Sequence, residues 1–388
     1  MLIQATAKLR DELNLKECES KERPALFSWH ANLLKINRRK TVVLVNDACA
    51  YTVVLYGLDK DKFTNFAEHV NVGIKNAFER DGIKESLIYK YLNEFKNVTF
   101  QKTKNKKYVA RMNFAAKEAE FHSRYFSENS IYQPQSSVAI SRRRFREIDT
   151  EDRFHPDYRL HRELAEYFGE TEIIKTKAAV LKVELELGEY KVWRKVIVPL
   201  NYSFRELHKI IQKLFNWQDY HLHEYFVYSE EKDDSKWFNH SEYHRDGYRV
   251  ILNLTMNQDN LEYNMYEMNY QDQDFELAVE NEVKLKDILP ARIKYIYDYG
   301  DDWQHYIETE EIIEDYKSNK PTLLAGEGTA PPEDVGGVDG FSKFLQILSN
   351  PNHEEYEFMQ EWAKSQRFKE YDSEKIKAEF KSYYYLIY

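Results

Sequence analysis

The chain has 388 residues, 42% of them hydrophobic and 15% aromatic, which excludes wholesale disorder and exceeds what one core ordinarily serves, so two domains are expected. No apolar run approaches the roughly 20 residues of a membrane span, charge at Lys8 and Arg10 interrupts any signal-peptide core, and two cysteines, Cys18 and Cys49, make neither a disulfide framework nor a CxxC knuckle; a reduced, cytoplasmic setting is expected. The net charge of −10 conceals a split, with 22 Lys and Arg against 15 Asp and Glu in residues 1–120 and 34 against 51 in residues 121–388, so only the first part suits a polyanion.

Residues 1–120 read as a basic α+β domain. Leu26–Ile36, Thr41–Asp47 and Tyr51–Leu58 are β-rich runs whose breaks are short enough for antiparallel hairpins. A helix is predicted from Asp59 to about Arg80, because Phe63, Phe66, Val70, Ile74, Ala77 and Phe78 recur at three- and four-residue steps before Asp81-Gly82 stops it. A second helix, Lys84–Phe95, leads into an expected hairpin with arms Val98–Thr103 and Lys107–Met112. Arg38, Arg39 and Lys40, with Lys104, Lys106 and Lys107, then fall at hairpin tips and form the candidate anion-binding set. Solvated tips are the plainer reading. The run Phe27–Asp47, followed by the strand Tyr51–Leu58, resembles a small family of uncharacterised bacterial proteins over about residues 1–115. That resemblance implies a domain boundary and no activity.

Residues 121–176 are polar, broken by Pro134 and Pro156, and without sustained periodicity, so a linker with a short helix at Tyr158–Phe168 is expected. Four arginines lie between Arg142 and Arg146, but Glu147, Asp149, Glu151 and Asp152 follow, and local pairing argues against a nucleic-acid arm.

From residue 177 to the end the chain reads as an acidic α+β domain closed by helices. Leu181, Val183, Leu185 and Leu187 alternate with Lys182, Glu184 and Glu186, giving a strand buried on one face. Val192–Pro199 follows as a second strand. Ser203 and Glu206 form a capping box for a helix whose stripe is Leu207, Ile210, Ile211, Leu214 and Phe215, with His208 at its edge. The chain re-enters a strand at His221, crosses an acidic insertion over residues 229–275, and forms a hairpin at Tyr297–Glu311 around Gly300–Asp302. A Gly- and Pro-rich loop, Leu323–Phe341, precedes three helical patterns.

Val192–Pro199, the Leu207-His208 helix, His221–Phe226, Tyr297–His305 and Gly326–Gly337 occur in the order and spacing of the plasmid pRiA4b ORF-3-like protein family, and the chain resembles that family over about residues 177–365. The resemblance implies an α+β fold with a mixed or antiparallel sheet packed on helices, a plasmid or mobile-element setting, and no assigned biochemistry. Many members carry cysteines flanking the Pro-Pro-Glu-Asp motif. Here those positions hold Ala330 and Val335, so a cysteine-based metal site is not expected.

His208, His221, His223, Asp298, Asp302, Trp303 and His305 are the candidate cleft residues. His221, His223, Asp298 and His305 supply nitrogen and oxygen donors of the kind that ligate Zn²⁺ or Mn²⁺ and activate water, although their spacing matches no established metal signature. A divalent metal is thus the one cofactor to consider. The plainer reading makes Asp301 and Asp302 turn residues and pairs Trp303 across strands with Tyr297 or Tyr299. Glu333 and Asp334 are expected to cap the Phe341 helix region or pair with Arg194. The loop around them lacks the Lys-Ser/Thr of a P-loop, and no GxSxG elbow or plausible Cys–His dyad is present. The expected function is a cytoplasmic binding or adaptor protein that meets a protein or nucleic acid through its basic first domain and has no membrane role. The alternative is a metal-dependent hydrolase or nuclease, which leaves enzyme status open.

Overall fold

The computed structural model describes residues 1–15, 22–147, 150, 152–232, 247–268 and 275–382, which form two compact units, 1–175 and 176–388. Cys18, Asp149 and Glu151 lie outside the described residues, as does much of the acidic insertion. The first unit holds 31 Lys and Arg against 25 Asp and Glu and the second 25 against 41, so the charge split survives the exact boundary. No helix among the described residues is long and apolar enough to cross a membrane.

The first unit runs β1 (Leu2–Ala5), α1 (Ala7–Glu12), β2 (Ser28–Ile36), β3 (Arg39–Asn46), β4 (Thr52–Tyr56), α2 (Lys60–Thr64), α3 (Phe66–Arg80), α4 (Glu85–Glu94), β5 (Thr99–Lys102), α5 (Lys106–His122), α6 (Pro134–Ser141), β6 (Phe145–Arg146), β7 (Arg153–Phe154) and α7 (Pro156–Phe168). Its main sheet has the order β4-β3-β2-β1-β5. Strands β2, β3 and β4 are antiparallel, whereas β1 runs parallel to both β2 and β5. Both faces are covered. Trp29, Leu44, Val53 and Leu55 pack with Val70, Ile74 and Phe78 of α3, while Val43, Val45 and Val54 pack with Met112, Ala115 and Ala119 of α5. A strand buried on both sides needs apolar residues at successive positions, which is why Val42–Val45 does not alternate.

Two expectations are corrected here. The hairpin after α4 does not form: Thr99–Lys102 pairs with β1, and the expected second arm lies in the helix α5. Met112, Ala115, Ala116 and Ala119 recur at helical spacing, and the Asn105 side chain accepts from the Lys107 N–H to cap the start. The linker expected over residues 121–176 is instead mostly part of this unit. Leu160 and Leu164 of α7 are fully buried, and Arg142 and His161 meet the buried Asp81 at 3.2 and 3.0 Å. Arginines of the 142–146 run are therefore spent internally, Arg143 on Glu118 at 3.0 Å. Helix α6 is bonded to β4 through two hydroxyls: Ser137 Oγ accepts from Val54 N at 3.0 Å and Ser141 Oγ from Thr52 N at 2.9 Å.

The second unit contains β8 (Thr176–Leu187), β9 (Tyr190–Pro199), α8 (Phe204–Phe215), β10 (His223–Lys232), β11 (Tyr248–Thr255), α9 (Gln258–Tyr266), β12 (Glu276–Val279), β13 (Arg292–Tyr297), β14 (Trp303–Tyr316), β15 (Thr322–Glu327), α10 (Gly337–Ser349), α11 (Tyr356–Ser365) and α12 (Ser373–Ser382). Its sheet has the order β12-β11-β10-β13-β14-β8-β9-β15 and is antiparallel except between β11 and β12. Leu181, Val183 and Leu185 face a core shared with Leu207, Ile210, Ile211 and Leu214 of α8. The Ser203–Glu206 capping box is formed. Phe341, Phe344 and Phe380 bring the carboxy-terminal helices onto the same core. The fold is α+β in both units, with mixed sheets packed with helices.

Arg194 does not pair with Glu333 or Asp334. Only 2% exposed, it donates to the carbonyls of Leu214 (3.0 Å), Trp193 (2.8 Å), Glu327 (2.7 Å) and Gly328 (2.9 Å). Burial lowers its pKa to about 10, which leaves it charged at neutral pH.

The serine bonds give a test. Replacing Ser137 or Ser141 by alanine strands a buried N–H of β4 and should cost about 1–3 kcal/mol of unfolding free energy in urea titrations. Losses under a few tenths of a kcal/mol would show that these N–H groups find other partners.

Candidate metal centre

Three loops of the second unit meet at one point. The first follows α8, where Asn216 takes the left-handed C-cap conformation (φ 60°) and the chain turns again at Asp219 (φ 63°) before β10. The second is the β13–β14 hairpin. Asp298 stands there at φ 60°, its Oδ1 accepting from Gly300 N at 3.0 Å and its own N–H donating to Leu222 O of the first loop at 2.9 Å. The third is the Pro-Pro-Glu-Asp loop, where Asp334 stands at φ 61°. Asp301 at the hairpin tip grips this loop by accepting from Gly336 N at 3.2 Å. Gly337 lies so close (φ 68°, with a Cβ falling 3.0 Å from Asp301 O) that a side chain would force the two loops apart.

Each loop delivers one donor. His221 Nε2 lies 3.5 Å from Asp298 Oδ2 and 3.2 Å from Asp334 Oδ1, and the three ligand atoms fall within 4.8 Å of one another. Among the described residues, the buried His221 Nε2 has no partner in hydrogen-bonding geometry. The Asp298 side chain is 9% exposed and that of Asp334 48%, so the group opens to solvent on the Asp334 side. One imidazole nitrogen and two carboxylates suit a first-row divalent ion or Mg²⁺, and three protein ligands leave positions open.

Beneath the donors lies Tyr297, whose hydroxyl donates to Glu333 Oε1 at 2.5 Å and accepts from the N–H groups of Tyr220 (3.3 Å) and His221 (3.4 Å). Glu333 Oε2 accepts from Gln218 N at 2.9 Å. Burial raises the pKa of both Tyr297 and Glu333, the tyrosine further through the carboxylate beside it. Tyr220 is pushed up to about 12 by burial and by the neighbouring Glu333 and Asp334.

Of the four expected metal ligands, His221 and Asp298 come together; His223 and His305 do not join them. His221 precedes β10 instead of lying on it, so strand alternation does not place it beside His223. His223 is buried and hydrogen-bonded to Glu280 Oε2 at 2.8 Å, and its ring stacks on His208 with centroids 3.5 Å apart. His208 belongs to a closed circuit. Asp219 N donates to Gln212 Oε1 (3.0 Å), Gln212 Nε2 to the Tyr295 hydroxyl (3.2 Å), that hydroxyl to His208 Nδ1 (2.7 Å), and His208 Nε2 back to Asp219 Oδ1 (2.5 Å). These partners assign the proton to Nε2. Asp219 stays ionised, because hydrogen bonds from His208 and Lys209 outweigh its burial. His305 is fully buried among the rings of Phe215, Trp217 and Tyr295. Trp303, also buried, pairs in register with Tyr297 and stacks on Trp217, while Asp302 accepts from Gln304 Nε2 at 2.6 Å. The expected cleft is therefore largely core. Asp334, read from the sequence as a helix cap or an arginine partner, is the third donor of the group and was missed; its signal is an acidic pair in a loop of two prolines and two glycines.

In the first unit the basic set is divided. Asn37 and Arg38 form the left-handed turn between β2 and β3, Arg39 meets Glu128 at 3.2 Å and Lys40 meets Glu12 at 2.6 Å. Lys106 and Lys107 open α5 and do not cap a hairpin, and the carbonyl of Lys104 accepts from His30 Nε2 at 2.8 Å.

Residues 177–379 match the plasmid pRiA4b ORF-3-like protein family, and residues 2–158 match a domain of unknown function (DUF6933). Over 199 residues the chain is 30% identical to the uncharacterized protein y4hQ of Sinorhizobium fredii (strain NBRC 101917 / NGR234), covering 50% of this chain and 82% of that protein. A crystal structure of a protein of unknown function, MM3350 from Methanosarcina mazei Go1, is 30% identical, with 52% of this chain and 97% of that chain covered at a TM-score of 0.39.

The buried imidazoles set a pH dependence. Burial lowers His208 to about 4 and His305 to about 3 from an ordinary value of 6.5. The unfolded chain takes up these protons as pH falls through 6.5 and the folded chain does not, so their contribution is complete above that value and is lost on acidification. Urea unfolding at pH 4.5 should show a stability loss of about 2 kcal/mol per histidine relative to pH 7.5, reduced in a His305→Phe variant. A profile unaltered by that substitution would refute the assignment.

Proposed function

We propose, from the premise that this chain belongs to the plasmid pRiA4b ORF-3-like protein family, that it is a cytoplasmic binding protein whose second unit holds one divalent cation between His221, Asp298 and Asp334. The observation that carries this reading is the meeting of three donors from three separate loops within 4.8 Å. Two carboxylates that close repel each other, and both stand in the left-handed backbone region that non-glycine residues seldom adopt. A cation offsets the repulsion and satisfies His221 Nε2. Positions left open on the Asp334 side would accept an oxygen-bearing ligand, through which the protein would engage its partner.

The same open positions support a second reading, a metal-dependent hydrolase in which the cation activates a bound water. The second unit's excess of 41 Asp and Glu over 25 Lys and Arg argues against a nucleic-acid substrate at this site. The pairing of Arg39 and Lys40 with glutamates weakens the case for a phosphate-binding surface on the first unit. A protein or small-molecule partner fits better.

Chelator-treated protein should bind one Mn²⁺ in calorimetric titration. His221→Gln, Asp298→Asn and Asp334→Asn should each weaken binding by more than the roughly 10–100-fold typical of outer-sphere changes. Mn²⁺ at about 100 times its dissociation constant should add about 2.7 kcal/mol to unfolding stability. Absence of both binding and stabilisation would remove the cation from the reading. Turnover of a chromogenic phosphodiester or ester by the Mn²⁺-loaded protein, lost in Asp298→Asn, would favour the hydrolase.

A further inference from the structure

Tyr297 occupies a place that no single loop explains. It is the last residue of β13 and adjoins Asp298 in the chain. Its hydroxyl accepts from the backbone N–H of His221, and it donates to Glu333, which adjoins Asp334. One phenol oxygen is thus bonded or bound by sequence to all three cation ligands. The ring is fully buried and stacks on Trp217 at 5.0 Å with an interplanar angle of 20°, which leaves the hydroxyl little freedom to follow a displaced loop.

The direction of these bonds matters. Backbone N–H groups of Tyr220 and His221 point at the phenol oxygen, and its proton points at a carboxylate that accepts from Gln218 N through its other oxygen. Glu333 therefore only accepts, and only a group that accepts and donates at one atom can stand between it and the loop amides. A phenylalanine fills the ring's space and cannot make either link.

We infer that Tyr297 is the positioning residue of the cation site, acting through Glu333 to fix the His221 loop and the Asp334 loop at the separation one ion requires. This rests on the reading that the site takes a cation. Tyr297 is not one of the three donors; it sets where they stand.

The test is a double-mutant cycle on the full chain with Mn²⁺ as the probe. Tyr297→Phe and Glu333→Gln should each weaken Mn²⁺ binding by about 10–100-fold. The double variant should bind within about twofold of Tyr297→Phe, because both changes break one relay. The visible absorption of bound Co²⁺ should change in Tyr297→Phe, reporting altered ligand geometry that a loss of stability alone would not produce. If wild type binds and Tyr297→Phe binds equally well, or if the two losses multiply, the inference fails while the cation site stands. Should wild type bind no Mn²⁺, the site itself falls and the inference with it. Where Tyr297→Phe does not fold, Glu333→Gln decides: binding equal to wild type overturns the relay.

Discussion

Much of the second unit's geometry depends on one buried charge held by backbone carbonyls. Among the described residues no carboxylate pairs with the Arg194 guanidinium, which is spent on four backbone carbonyls. Removing such a group from water is expensive, and only near-complete hydrogen bonding makes it tolerable. The cost is met by tying three elements together: the last turn of α8 through Leu214, strand β9 through Trp193, and the exit of β15 through Glu327 and Gly328. Tyr371 covers the guanidinium face at 3.9 Å. Gly326 is required there, since a Cβ would fall 2.5 Å from the Tyr371 hydroxyl and 2.8 Å from Arg194 Cδ. The Pro-Pro-Glu-Asp loop therefore starts from a fixed point.

From that point polar contacts carry the order outward. Trp217 Nε1 donates to Pro331 O at 2.9 Å, and the loop holding Trp217 is secured on its other flank by the circuit through Gln212, Tyr295, His208 and Asp219. Loops held from two sides can keep Asp298 and Asp334 in sparsely populated backbone conformations, which an isolated turn would relax. The stacked histidines belong to this support. His208 and His223 fill a core position where the two rings pack face to face and each ring finds a carboxylate.

Local rules were enough wherever one signal dominated. The alternation of Leu181 to Leu187, the Ser203–Glu206 box and the Tyr297–Trp303 hairpin are all read from neighbours in the chain. Strand β1 was not, because four consecutive buried residues carry no alternation and its parallel partners lie over twenty residues away. Helix α5 was misread because lysines at its start suggested a hairpin tip, although its alanines keep helical spacing. The candidate site was half legible. His and Asp mark chemistry, but whether a histidine ligates depends on whether tertiary packing supplies it a partner first, as Glu280 does for His223. Asp334 became visible only when the third loop was placed against the other two.

The serines of α6 have a wider meaning. Strand β4 ends the first unit's sheet, and its outward N–H groups at Thr52 and Val54 are taken by Ser141 and Ser137, that of Tyr56 by the carbonyl of Ile131. A sheet rim left open is a template on which another chain can add a strand. Here a helix substitutes hydroxyls for the missing strand, and a helix cannot be extended by further pairing. A stretch that reads as connective sequence thus keeps the sheet from propagating into fibrous or domain-exchanged assemblies along that side.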